Sequence, residues 1–413
     1  MKKKKILCLF DYVARTGFGT VSKNIKKELK RSFGESLQLD IVAINYFGEP
    51  YREDDGTYVV SARVSDVNED PYGRFFFLKL LKESNDYDGI FICQDLGVIV
   101  PFIEVLEHIK MEKKEEKKKS FKSIFYFPVD CDIIYELTRG LEFFDLLVTY
   151  TEYGRKEILK HKPELKTKLK VIPHGNNVKD FYPISNEEKI KFREEFFQEN
   201  SNRFIITNLN RNQPRKDLPN TIFSFIEAKE IWPENLPKPF LYLHCHPKDP
   251  MGWDLRGIMI QTNLVEDEDY KLLPKEFELE MAEVDVVNKI YNASDVYLTT
   301  TLGEGWGLGY SEAASCRVPI IAPYSTSFME MSNYGKNAFM VYNLYPYCNV
   351  NDNVIRQQTD IFEIADKIVE VAKKLYSNDK EIDEKVERNM LWVRNLEWSK
   401  VTKSWVDYFK QVF

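Results

Sequence analysis

The sequence is poor in the residues that build metal and redox sites. Among its 413 residues are only 5 histidines and 6 cysteines. Cys8, Cys93, Cys131, Cys245, Cys316 and Cys348 are scattered, and none forms a CxxC pair. That spacing excludes a zinc ribbon and a thioredoxin-like dithiol. It fits a reduced, intracellular setting, in which free thiols behave as small hydrophobes. HExxH, a Walker A loop and a Ser–His–Asp arrangement are absent as well, which removes the common hydrolase and P-loop chemistries. No apolar run is long enough to span a bilayer. Lys2 to Lys5 lead directly into ILCLF instead of a long apolar region, so no signal peptide is expected and the location reads as cytoplasmic. An excess of positive charge is also missing. Lys and Arg total 58 against 65 Asp and Glu, for a net charge of -7. A general binder of nucleic acid or anionic membrane is therefore disfavoured. A longer lysine-rich stretch, MEKKEEKKK (111–119), is interrupted by glutamates and reads as a solvated helix end or surface loop.

Apolar and aromatic residues are plentiful, at 43% and 14%. The length suits two domains, each with its own core. In the first half ILCLF (6–10), LDIVAIN (39–45), GIFIC (89–93), SIFYFPV (123–129), LLVTY (146–150) and KVIP (170–173) read as strands. Their continuous apolar runs predict a parallel sheet covered on both faces. VSKNIKKELKR, PYGRFFFLKLLKE, VPFIEVLEHIK and YGRKEILKHK read as the helices between them. A second set begins after a boundary near Asp180 to Ser185: a helix over 183–197, then strands RFIITNLN (203–210), FLYLHCH (240–246), DVYLTT (295–300) and PIIAP (319–323), with further helices. The last stretch, LEWSKVTKSWVDYFKQVF, places Trp398, Val401, Trp405 and Phe409 on one helical stripe.

TLGEGWGLGYSEAASCRVP (301–319) is the most informative segment. It follows a strand, crowds Gly303, Gly305 and Gly307 into a turn, and enters a helix. Backbone N–H groups at such a helix start suit a phosphate or polyhydroxyl ligand. Glu304 and Glu312 have seven residues between them. Carboxylates beside such a site serve best as acceptors for sugar hydroxyls. A second segment, NLNRNQPRKDL (208–218), sets Arg211, Arg215 and Lys216 at the carboxyl end of a strand. Ligands bind at that edge of a doubly wound sheet, and cations there fit a diphosphate.

EGWGLGYSE resembles the E-x7-E signature of retaining glycosyltransferases of family 4. The resemblance implies a GT-B fold: two doubly wound Rossmann-like α/β domains facing across a cleft. It implies an acceptor domain over 1–183, a nucleotide-sugar donor domain over 184–396, and a final helix (397–413) returning to the first. By the same resemblance Glu304 contacts the donor sugar and Glu312 the ribose hydroxyls, while Arg211 and Lys216 are the family's arginine–lysine pair on the diphosphate. Gly305, Trp306, Gly307 and Leu308 complete the donor turn. DYVARTGFGTVSKNI (11–25) matches the family's first loop, with Gly17 and Gly19 reaching toward the donor diphosphate and Thr20 or Ser22 as a helix cap. YFPVDCD (126–132) stands where the family often carries a histidine–aspartate pair. It has no histidine, so Asp130 stands nearest; it could orient a hydroxyl or cap the following helix. Asp95 in CQDLG is a similar strand-end carboxylate. His174 in VIPHGNNVKDFYP reads as structural. His244 and His246 in HCHPKDPMGWDL share one face of the expected strand, but no third and fourth ligand follow.

The expected protein is thus a retaining, metal-independent glycosyltransferase whose substrate is a nucleotide-sugar. It needs no cofactor and has no transmembrane segment. The implied chemistry is front-face attack, with the leaving phosphate helping to take the acceptor's proton. Catalytic candidates are Glu304, Asp130, Arg211 and Lys216. The acceptor could be a glycan, a lipid, a protein or a modified nucleobase in DNA. Rival classes are a GT-B epimerase or phosphorylase and a non-catalytic nucleotide-sugar-binding protein.

Overall fold

The computed structural model describes residues 3–14, 16–62, 70–274, 282–348 and 354–413. It divides into two compact units, Met1–Gly175 with Leu396–Phe413, and Asn176–Asn395. The second unit starts ahead of the expected boundary near Asp180. Hydrogen bonds explain the shift: Asn176 Nδ2 donates to Ser315 Oγ, and the Tyr182 and Ile184 N–H groups donate to Asn288 and Asn292 at 3.0 Å.

Among the described residues the first unit has eight strands. They are β1 (Lys4–Phe10), β2 (Leu37–Ala43), β3 (Tyr51–Arg52), β4 (Tyr58–Ser61), β5 (Gly89–Cys93), β6 (Lys122–Phe127), β7 (Leu146–Thr149) and β8 (Leu169–Val171). Their order is β3-β4-β2-β1-β5-β6-β7-β8, parallel except for the short edge strand β3. Residues Ile6 to Phe10 are almost wholly buried, as a strand covered on both faces must be. The helix Trp398–Val412 packs on this unit through its predicted stripe. Trp405 lies 5.2 Å from Phe91 and 4.9 Å from Tyr126, and Phe409 lies 5.5 Å from Phe91. Each buried aromatic contributes about 2 kcal/mol by leaving water. VPFIEVLEHIK is broken: Leu96–Ile99 and a 3₁₀ turn at Val100–Phe102 precede the helix Ile103–Glu115. Pro101 cannot continue a helical ladder, which accounts for the break. Within the charged stretch Lys113 is buried, donating to Ser84 O at 2.7 Å.

The second unit carries β9 (Phe204–Asn208), β10 (Pro239–Leu243), β11 (Tyr270–Leu272), β12 (Val296–Leu298), β13 (Ile320–Pro323) and β14 (Phe339–Val341). These six pair in the order β11-β10-β9-β12-β13-β14, all parallel. One face is covered by the helices Leu218–Glu230 and Ile361–Tyr376, which join Ile222, Phe225, Ile364 and Ile368 to the core. The other takes Phe197, Ile205, Tyr242 and Ile290. The helix Asn186–Phe197 begins with a capping box between Ser185 and Glu188. An antiparallel pair, β15 (Leu344–Cys348) and β16 (Ile355–Thr359), was not expected; Pro346 lies inside its exposed outer strand. Among the described residues no helix is long and apolar enough to cross a membrane.

Candidate functional site

Both sheets reverse their strand order next to the first strand of the unit, between β1 and β5 and between β9 and β12. Loops at the carboxyl ends of such strands form the ligand-binding edge of a doubly wound sheet.

In the second unit this edge holds the predicted cations and carboxylates. The loop after β9 closes in a 3₁₀ turn, Pro214–Lys216, and Asp217 enters the next helix in a left-handed conformation (φ 47°). The loop after β12 is stitched to it. Leu302 N–H donates to Arg215 O at 2.8 Å, and the Thr301 and Thr300 hydroxyls donate to Arg215 O at 3.1 Å and Asp217 O at 2.9 Å. These bonds deliver the Lys216 ammonium to Glu304 Oε1 and set Arg215 Nη1 3.0 Å from Oε2. Glu304 N–H donates to Thr326 Oγ1 at 3.0 Å. Burial alone would raise the Glu304 pKa, but Arg215 and Lys216 outweigh it and hold the carboxyl at about 2.

Glu312 differs. It lies one turn further along, in the helix Leu308–Ser315, and is half-buried. Its Oε2 accepts from the Tyr291 hydroxyl at 2.9 Å. Burial pushes its carboxyl up to about 7 despite that bond, which lowers it. Two carboxylates on one turn are thus perturbed in opposite directions, an arrangement typical of working sites. The turn itself requires glycine at Gly307: its φ is +103°, and a Cβ there would lie 2.5 Å from the Phe328 ring.

The remaining donor-side candidates divide. Gly305 lies in the turn, and Leu308 is half-buried at the first position of the helix. The Trp306 ring packs inward on Trp392, centroids 5.9 Å apart, so its place is structural and only its backbone belongs to the turn. Arg211 is not with the other cations. Its side chain is 60% exposed and its Nε donates to Asp249 Oδ2 at 3.0 Å. Sequence reasoning named Arg215 only as one of the basic residues and missed Tyr291, Thr326 and Asp249. The adjacency of Arg215 to Lys216 was the available signal.

In the first unit Gly17 and Gly19 belong to the helix Gly17–Phe33 and not to a loop before it. Thr16 is the cap, in place of Thr20 or Ser22. Its hydroxyl donates to Asp11 Oδ2 at 2.5 Å and accepts from Gly19 N–H at 3.0 Å, which starts the helix earlier than expected. A Cβ on Gly19 would lie 2.0 Å from Ala14 O. Asp95 is exposed beyond β5. Asp130 is half-buried beyond β6, and the cap position of the next turn, Tyr135–Thr138, belongs to Ile134 and not to Asp130. His174 is buried, its Nδ1 2.8 Å from Tyr126 Oη; burial lowers its pKa to about 3. β10 ends at Leu243, so His244 and His246 lie in the following loop and not on a strand face. The cause is local: His246 Nδ1 accepts from Lys248 N–H, forming a turn.

Two doubly wound sheets of this order make the GT-B fold. Sucrose-phosphate synthase from Thermosynechococcus elongatus superposes with a TM-score of 0.70 at 14% identity, covering 100% of this chain and 99% of that one. Anabaena HepE in complex with UDP-glucose gives a TM-score of 0.69 at 12% identity, over 98% and 99% of the chains. Trehalose 6-phosphate synthase of Burkholderia multivorans gives 0.69 at 13%, over 100% and 99%. These neighbours are GT-B glycosyltransferases. In sequence, the chain is 24% identical over 234 residues to alpha-monoglucosyldiacylglycerol synthase of Acholeplasma laidlawii, covering 55% of this chain and 52% of that protein. It is 24% identical over 212 residues to a probable sucrose-phosphate synthase of Thermosipho melanesiensis, covering 49% and 44%. The match spans about half the length of these curated relatives. No family model matches the chain.

Proposed function

We propose that the chain is a retaining glycosyltransferase of the family 4 type, moving a sugar from a nucleotide-sugar donor to an acceptor hydroxyl. The carrying observation is the paired carboxylates of one glycine turn: Glu304 held ionised by Arg215 and Lys216, Glu312 held near neutrality beside Tyr291. The second unit takes the donor. Glu312 accepts from the ribose hydroxyls and Glu304 from the sugar, while Arg211 and Lys216 bind the diphosphate. Lys216 has three N–H donors and serves Glu304 and a phosphate oxygen together. In the reaction the bond from the anomeric carbon to the phosphate oxygen breaks, and a bond to the acceptor oxygen forms on the same face. The acceptor's proton passes to the departing phosphate. Fixed cations stabilise the charge that builds on the diphosphate, so the proposed mechanism invokes neither a metal nor a cofactor. Asp130 in the first unit orients the acceptor.

UDP and UDP-glucose are the first ligands to try, because Anabaena HepE is seen in complexes with them. A thermal-shift panel of nucleoside diphosphates and nucleotide sugars tests the reading on the wild type, Glu312→Ala and Arg211→Ala. One nucleotide should stabilise the wild type and much less so the variants. Equal stabilisation of all three proteins would sink the site. The anomeric configuration of the product, read by NMR, tests retention.

A further inference from the structure

We infer that Asp249 is a positioning residue that holds the Arg211 guanidinium ready for a nucleoside diphosphate; the inference rests on the nucleotide-sugar reading above. An arginine as exposed as Arg211 ordinarily samples many rotamers, and fixing it on binding costs up to about 2 kcal/mol. Asp249 removes part of that freedom in advance. Its own carboxylate is anchored: the side chain is only 8% exposed, and Oδ1 accepts from Met251 N–H at 2.9 Å while Oδ2 accepts from Arg211 Nε at 3.0 Å.

The anchor is itself tied to the arginine's loop. Asn212 Nδ2 donates to His246 O at 3.2 Å and Trp253 O at 2.7 Å, and its Oδ1 accepts from Trp253 N–H at 3.0 Å. Residues 246–253 and the Arg211–Asn212 corner therefore form one hydrogen-bonded piece. The stretch HCHPKDPMGWDL, which sequence reasoning weighed as a metal site, thus acquires a role as the holder of an arginine. Chemistry favours this geometry. Asp249 engages Nε, one of five guanidinium N–H donors, and the terminal nitrogens remain suited to two phosphate oxygens. A pre-set donor binds with less ordering cost than a free one.

Isothermal titration with UDP, run on the wild type, Asp249→Ala, Arg211→Ala and the double variant, tests the inference. Asp249→Ala should weaken binding about 5- to 10-fold, and Arg211→Ala by at least as much. The double variant should bind no more weakly than Arg211→Ala, because a holder has no effect once its arginine is gone. Asp249→Asn keeps an acceptor for Met251 N–H and should recover part of the loss; it carries the test if the alanine variant fails to fold. Additive losses in the double variant overturn the inference. So does UDP binding by Asp249→Ala as tight as the wild type's, or tighter. If Arg211→Ala binds UDP normally, the inference fails while the nucleotide reading stands. A wild type that binds no nucleoside diphosphate removes both.

Discussion

Tyr291 reaches Glu312 from a helix that precedes the glycine turn's own strand: its phenol donates to Oε2 at 2.9 Å from the helix Val284–Ala293. The acceptor proposed for the ribose is thus fixed from outside the turn, and in a setting that keeps its proton near neutrality.

That setting gives opposite pH trends for stability and binding. The ordinary glutamate value is 4.5 and the folded value about 7. Between them the folded protein holds a proton that the unfolded chain has lost, so the Glu312 contribution lowers stability as pH rises through the window. Binding of ribose hydroxyls needs the ionised acceptor and should tighten over the same range. Titrations of UDP from about pH 6 to about pH 8 should show this tightening in the wild type. In Glu312→Gln the dependence should flatten, and the unfolding temperature should fall less with pH.

Glu304 has the reverse sign. Its folded value is about 2 against 4.5, so its contribution to stability is present above the unfolded value and is lost as pH falls toward 2. Glu304→Gln leaves the Lys216 and Arg215 charges without their carboxylate. It should lower the neutral-pH unfolding free energy by about 2 to 4 kcal/mol. Acid unfolding curves should then converge with the wild type at low pH, and parallel curves would contradict the assignment.

Gly307→Ala puts a Cβ 2.5 Å from the Phe328 ring at a φ of +103°. Backbone strain and the clash should cost about 2 to 4 kcal/mol. The turn must shift, and both glutamates move with it. Denaturant unfolding should report the loss, and the nucleotide-induced thermal shift should shrink beyond what the lower stability explains.

Trp392→Ala removes the surface on which Trp306 stacks. A loss of about 2 kcal/mol is expected, with weaker nucleotide binding as the turn loses its backing. Replacement by Phe should restore most of both, which a thermal-shift comparison of the two variants checks.

The sheets were legible because buried parallel strands write themselves as unbroken apolar runs: ILCLF and FLYL need no partner to be recognised. The glycine turn with Glu304 and Glu312 was legible because it is local. What escaped depended on partners distant in sequence. Arg215 reaches Glu304 only because Leu302 and Thr301 bond its carbonyl, and no pattern within the basic loop says which arginine will do so. Trp306 stood among the donor-turn residues by resemblance, and only Trp392, on the distant helix Lys380–Asn395, shows that its ring packs inward. β15 carries Pro346 on an exposed edge, which obscured its strand pattern. The early start of the helix at Gly17 followed from Thr16, whose cap is visible only with Asp11 beside it.

The first unit is assembled from two pieces of chain, Met1–Gly175 and Leu396–Phe413, with the whole of the second unit encoded between them. A ribosome therefore releases the second unit as one continuous stretch, free to fold when it emerges, before it releases the helix that seats Trp405 on Phe91 and Tyr126. During synthesis the earliest-made sheet waits longest for its last cover, and Phe91 lacks its Trp405 partner until then. A chain stopped near residue 395 should keep a folded second unit while its first unit becomes the chaperone-dependent and protease-sensitive part.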